Sequence, residues 1–216
     1  MGQIETARGL GLPSPRPRSG PLAVVGGGHS AHAYVETLRR WKGEVWAING
    51  AYPWCRERGI EATFYTCDPL ERTAHFAAGA SKAVAYSLAH PLLWSSVPEV
   101  ECFDERPVFK ASAPNVGMVA VKSGFESVTF FGCDCSFSDD THTYETHPVN
   151  WSLVVECGGL EYLTVPAYYV QVIELMELCK LSPYFREMSG GLLRAMVEND
   201  THKVVWMSPG VREMAA

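Results

Sequence analysis

Leu22-Ala23-Val24-Val25-Gly26-Gly27-Gly28-His29-Ser30 is the stretch that decides the fold. Four consecutive apolar residues mark a short strand buried on both faces, as strands of parallel sheets are. Gly26 to Gly28 break it. Ser30 is suited to cap a helix, and Tyr34, Val35, Leu38 and Trp41 then recur at helical spacing until Gly43 stops them. A glycine turn between a strand and a helix is a ready anion site, because the backbone can approach a phosphate closely and the helix start offers N–H groups and a positive dipole. The turn is not a GxGxxG fingerprint, since Ala31 falls within it, and no Gly-Lys-Ser follows to make a Walker A loop. Gly26, Gly27, Gly28, His29 and Ser30 are therefore nucleotide-binding candidates outside those two patterns.

Beyond this unit the chain keeps alternating. Strands are expected at Val45 to Ile48, Thr63 to Thr66, Ala83 to Tyr86, Val100 to Phe103 and Ser127 to Phe131, with helices between them. Pro114 fits the first turn of a helix ending near Lys122. Leu153 to Val155 and Tyr162 to Val165 flank Cys157-Gly158-Gly159 and read as a hairpin. Pro166 opens a helix to about Lys180, Leu192 to Glu198 forms a last one, and Val204 to Trp206 adds a short strand. Strands alternating with helices predict an α/β domain with a mostly parallel sheet and helices on both faces. Residues 1–20, rich in Gly, Pro, Ser and Arg, are expected as a flexible tail, disordered or loosely draped, with Arg16 and Arg18 in solvent. Residues 21–216 are expected as one domain.

Composition sets the bounds. The chain has 216 residues, 47% hydrophobic and 19% charged, which suffices for a sizeable core. It lacks any apolar run of the length a membrane span needs, and Met1 to Gly20 has no signal-peptide core. A net charge of −6 gives no basic footprint for nucleic acid. Seven scattered cysteines without a CxxC pair point to free thiols in a reducing compartment, the cytoplasm. Assembly of identical chains is left open.

Ligands of such sheets lie beyond the carboxyl ends of the strands. That rule singles out the glycine turn, Asn49 after the second strand, Asp68 after the third, and Gly132-Cys133-Asp134 after Phe131. Asp68 suits a metal, a ribose hydroxyl or a capped turn. Ser112 and Asn115 sit at a second helix start. Residues 133–150 form a polar loop of a length usually tied to function. In it His142 or His147 could serve as acid or base, with Asp134 placing it, or the two, five residues apart, could hold a metal. The aromatics Trp151, Tyr162, Tyr168, Tyr169 and Tyr184 suit core packing or an acceptor site.

Residues 23–30, 46–51, 58–69, 124–137 and 141–144, in that order and spacing, resemble the 6-hydroxymethylpterin diphosphokinase MptE-like family, which includes flagellin-modifying motility accessory factors. They are also similar to bacterial sialyltransferases that use CMP-sialic acid. The resemblance covers about Leu22 to Val170. It implies a Rossmann-like fold, a phosphate-binding turn at Gly26, Gly28 and Ser30, a nucleotide-proximal Asn49, Asp68 closing the third strand, a Gly132/Asp134 pair, and His142 in the following loop. The sequence departs from the family at His29, where a proline is usual, and at Cys133, where a glutamine is. The expected activity is a transferase using a nucleotide-activated donor, a CMP-type nucleotide sugar, with a small-molecule acceptor. Asn49 and Asn115 would bind base or ribose. The alternatives are a diphosphokinase using ATP and Mg²⁺ through Asp68 and Asp134, and a nucleotide-binding module without turnover.

Overall fold

A computed structural model of the chain describes residues 3–137 and 152–207. In chain order the elements are α1 (Gln3–Gly9), β1 (Pro21–Val25), a 3-10 helix (His29–Tyr34) leading into α2 (Val35–Arg39), β2 (Glu44–Ile48), α3 (Ala51–Glu57), β3 (Thr63–Thr66), α4 (Glu71–His75), β4 (Lys82–Tyr86), α5 (Leu92–Ser96), β5 (Glu99–Phe103), α6 (Ser112–Ser123), β6 (Ser127–Phe131), β7 (Leu153–Cys157), β8 (Leu160–Thr164), α7 (Pro166–Leu181), β9 (Phe185–Glu187), α8 (Gly191–Glu198) and β10 (His202–Met207).

Seven strands form one sheet in the order β5-β4-β3-β2-β1-β6-β9, and each neighbouring pair is parallel. The chain winds outward from β1 to β5, then returns to the other side of β1 with β6. That reversal opens a crevice above the carboxyl ends of β1 and β6. Because strand side chains alternate, the apolar runs feed two cores. Leu22, Val24, Trp46, Tyr65 and Phe130 face α6, α7 and α8, where Val116, Leu175 and Met196 are buried against them. Ala23, Val25, Ala47, Phe64 and Phe131 face the other way, toward Leu38, Trp54, Ala74 and Leu93. The expected mostly parallel α/β sheet with helices on both faces is the one observed. The expected hairpin is β7–β8, turning through Gly158 and Gly159 at φ +59 and +78, which suits the type I′ turn that such hairpins favour. With β10 it makes a separate antiparallel sheet of three strands.

Two expectations are corrected, and one edge strand was not foreseen. The helix after the glycine turn does not run unbroken to Trp41. It is a 3-10 segment followed by five α-helical residues, and Ser30 does not cap it, because the Ser30 hydroxyl donates to Asp134 instead. Edge strand β9 has only three residues, too few to show a period. The segment before β1 is anchored on the sheet by specific contacts rather than being disordered or loosely draped, and Arg18 is not in solvent. Gln3 donates to the Pro69 carbonyl, Arg8 pairs with Asp104, and the Pro13 carbonyl accepts the Cys102 N–H on the outer side of β5. Arg18, its side chain 3% exposed, is ion-paired with Glu44 at 3.2 Å and Glu101 at 2.9 Å, and its guanidinium lies 5.0 Å from the Trp46 ring centroid. Polar composition hid this strap, because most of its anchors are individual arginines and backbone groups, with Ala7 and Leu12 adding only a small apolar contact.

All seven cysteines are free, six of them buried. Burial pushes the Cys55 and Cys135 thiols up to about 12 and that of Cys133 well above its ordinary value. Thiolate is the reactive form. Native protein at neutral pH is thus expected to react with a thiol reagent far more slowly than denatured protein. Rapid native labelling of Cys133 or Cys135, located by mass spectrometry, would contradict the packing described.

Candidate functional site

The crevice has a volume of about 1200 Å³. Its floor is made by strand ends: Gly26 to Gly28 after β1, Asn49 after β2, Asp68 after β3, and Gly132 to Ser136 after β6. Ser112 at the start of α6 and Tyr168 and Gln171 in the first turns of α7 form one wall. Topology therefore brings together Gly26, Gly27, Gly28, Asn49, Asp68, Ser112, Gly132 and Asp134, all singled out from the sequence. His142 and His147, with Trp151, lie outside the described residues. His29, Ser30 and Asn115 do not line the crevice.

The glycines fit two turns to one another. The Gly26 N–H donates to the Phe131 carbonyl at 2.8 Å and the Gly28 N–H to the Gly132 carbonyl at 2.6 Å, carrying the β1–β6 ladder past the strand ends. A Cβ on Gly26 would lie 2.6 Å from the Gly132 carbonyl oxygen, and one on Gly28 would lie 2.5 Å from the Asp134 carboxyl carbon. Gly132 has φ +62, and a Cβ there would meet Ala31 at 2.8 Å. Close packing of the two turns, on the Gly132 backbone, the Asp134 side chain and the Ala31 Cβ, requires glycine at these three positions.

Asp134, 6% exposed, joins the turns. One carboxylate oxygen accepts the Ser30 N–H at 2.9 Å; the other accepts the Ser30 hydroxyl and, at 3.0 Å, the Gly190 N–H. Its backbone carbonyl accepts the Leu193 N–H at 3.1 Å, and Ser136 Oγ accepts the Leu192 N–H at 3.0 Å, so this turn also caps α8. Ser189 completes the joint, its Oγ accepting the Cys133 N–H at 2.9 Å and donating to the Phe130 carbonyl at 3.3 Å. Ser136, Ser189 and Gly190 were missed from the sequence. Ser189-Gly190-Gly191 before an apolar helix was the available signal.

Two other candidates have different roles from those expected. Asn115 is 0% exposed. Its Oδ1 accepts the N–H groups of Val108 and Phe109, each at 3.0 Å, while Nδ2 donates to the carbonyls of Phe109 and Ala111 at 2.8 and 2.7 Å. That uses its hydrogen-bonding capacity to hold the loop before α6 and leaves none for base or ribose. His29 sits with its ring 5.9 Å from that of His32, which meets Trp54 edge-on at 5.4 Å. Burial first, then the Arg58 charge and His29, push the His32 imidazole below its usual pKa.

Asn49 and Asp68 differ from these. Asn49 adopts φ +48, a left-handed conformation that asparagine tolerates. Its backbone is tied to Tyr65 and Tyr52, yet its side-chain Oδ1 is buried without a partner. Asp68 uses Oδ1 to accept the Leu70 N–H at 2.9 Å, closing a turn, and remains half-buried at the crevice. Among the described residues no group of three or more His, Cys, Asp or Glu is placed to hold a metal ion. With both Asp134 oxygens taken by N–H and O–H donors, Asp68 and Asp134 do not fit a shared Mg²⁺ site. Of the aromatics, Tyr168 reaches the crevice, while Tyr162, Tyr169 and Tyr184 pack on the core. The crevice also collects Arg72, Arg106 and Lys110, which are isolated in sequence and were not singled out.

Fold and crevice define a Rossmann-type α/β protein with its cavity at the point where strand order reverses. No family model matches the chain, and no curated protein matches it. Among solved structures, the fold is similar to that of the MAf glycosyltransferase from Magnetospirillum magneticum AMB-1, with a TM-score of 0.65 and 15% identity over 88% of this chain and 36% of that one. The chain thus spans about a third of the length of that structure, and at this identity the likeness is one of fold. No helix among the described residues is long and apolar enough to cross a membrane.

Proposed function

We propose that this chain is a glycosyltransferase that binds a nucleotide-activated sugar, of the CMP type, in the crevice. One observation supports the reading: a crevice of about 1200 Å³ at the topological switch point, lined by Gly26 to Gly28, Asn49 and Asp68 from the strand ends. The similarity of fold to a glycosyltransferase supports the same class of activity. The nucleoside would lie over the ends of β1 and β2, and the sugar would point toward the β6 turn. His142 or His147 would then act on the leaving phosphate or the acceptor hydroxyl, so His142→Ala is expected to abolish turnover and spare nucleotide binding.

Thermal unfolding against CMP, CTP, UDP, ATP and NAD, each with and without Mg²⁺, tests the reading. A ligand at 100 times its Kd stabilises by about 2.7 kcal/mol, a shift of several degrees. A metal-independent shift with CMP or CTP is expected. A shift confined to ATP with Mg²⁺ would favour the diphosphokinase, and binding without turnover of any CMP-sugar would favour a binding module. Asn49→Gly keeps the left-handed backbone and removes only the amide. It is expected to leave the unliganded Tm within a few degrees of wild type and to weaken CMP binding roughly tenfold. Unaltered CMP affinity in that variant would remove Asn49 from the site.

A further inference from the structure

A nucleotide or any other anionic ligand needs partners for its charge, and the glycine turn has little to give. The N–H groups of Gly26, Gly28, Ser30 and Ala31 donate to Phe131, Gly132, Asp134 and Gly28 respectively. The Ser30 hydroxyl is likewise spent on Asp134.

Across the crevice the situation is reversed. Arg72 projects from the first turn of α4, and Arg106 and Lys110 belong to the loop before α6. None of the three side chains has an ion-pair or hydrogen-bond partner among the described residues, although the protein is acidic overall. The carboxylates sharing the crevice do not neutralise them. Glu105 is paired with Lys122, and Asp134 is held by Ser30 and Gly190, which leaves Asp68 with one oxygen already bonded to Leu70. The loop is also fixed in place: Asn115 holds the backbone of Val108, Phe109 and Ala111, and Glu174 accepts the Lys110 N–H at 3.1 Å. Three unpaired cations, two on a loop whose backbone is pinned and one on α4, gather around one cavity and make an anion site.

We infer that Arg72, Arg106 and Lys110 form the anion-binding part of this crevice, taking the phosphate or carboxylate of its ligand in place of the glycine turn. The inference rests on the crevice being a ligand site and specifies which side of it meets the charge. The bound anion therefore lies toward β3 and the α6 loop, with the β1 turn serving as floor.

Isothermal titration of the full chain with inorganic pyrophosphate, glucuronate, CMP and cytidine tests it. Arg72→Gln, Arg106→Gln and Lys110→Gln alter exposed side chains and are expected to fold normally. Each is expected to weaken pyrophosphate and CMP roughly tenfold and to leave cytidine unchanged. Lys82→Gln, at the opposite end of the sheet, changes net charge equally and is expected to bind as wild type. Glucuronate binding that the three variants lose, without pyrophosphate binding, would support the site with a carboxylate as its anion. Anion binding that is lost in the variants, with CMP no tighter than pyrophosphate, would support the site and remove the nucleotide reading. CMP binding that survives all three substitutions, or a wild type that binds no anion, would overturn the inference.

Discussion

Asp134→Ala is expected to lower the melting temperature by on the order of 10 °C. The carboxylate is nearly fully buried and accepts two backbone N–H groups and one hydroxyl. Each buried donor left without a partner costs about 1–3 kcal/mol. With water reaching part of the gap, a total near 4 kcal/mol is reasonable, and for a chain of this size each kcal/mol moves Tm by about 2–4 °C. Gly28→Ala approaches the same joint from the other side, since its Cβ would fall 2.5 Å from the Asp134 carboxyl carbon. It is expected to cost about 2–3 kcal/mol through overpacking. Because the two changes act on one contact, their effects should be strongly non-additive in a double-mutant cycle. An Asp134→Ala protein that melts like wild type but has lost turnover would mean that the carboxylate serves chemistry and not the joint.

Arg18→Ala is the second large effect expected, at about 3–5 kcal/mol. Removing the buried partner of an ion-paired cluster strips Glu44 and Glu101, beside the Trp46 ring, of their best counter-charge and leaves them only the exposed Arg16 guanidinium at 4.0 and 3.4 Å. The guanidinium also lies 5.8 Å from the Phe125 ring, so packing and cation–π attraction are lost together. Arg18→Met combined with Glu44→Gln and Glu101→Gln is expected to regain much of the loss, because no charge is then stranded. Denaturant melts of the three proteins decide it. A loss under 1 kcal/mol for Arg18→Ala would mean that the strap contributes little to stability.

The central strands were legible because β1 to β4 and β6 are short apolar runs bounded by turn residues, and because a doubly covered sheet leaves no polar face to blur them. Their carboxyl ends followed from a rule about open sheets, and that rule gathered Gly26, Asn49, Asp68 and Gly132 correctly into one crevice. What each residue does there was less legible. A glycine that admits a phosphate and a glycine that admits another turn look the same in sequence, and only the Gly132 and Asp134 contacts separate them. Asn115 and Asn49 both sit at element ends, yet one is saturated by its own loop and the other has an orphaned oxygen. Arg72, Arg106 and Lys110 converge only through folding, 38 positions separating the first from the last in a chain with no basic run between.

The Arg16 N–H finds its acceptor, Glu101, 85 residues further along the chain. At ribosomal speeds of about 5–20 residues per second, some 4–17 seconds pass between the appearance of the two. During that interval the strap has no dock, and for a time after β5 emerges its outer edge is an unpaired template for neighbouring nascent chains. Substitutions in the strap should therefore reduce the amount of soluble protein recovered from cells more than the activity of each molecule that has folded.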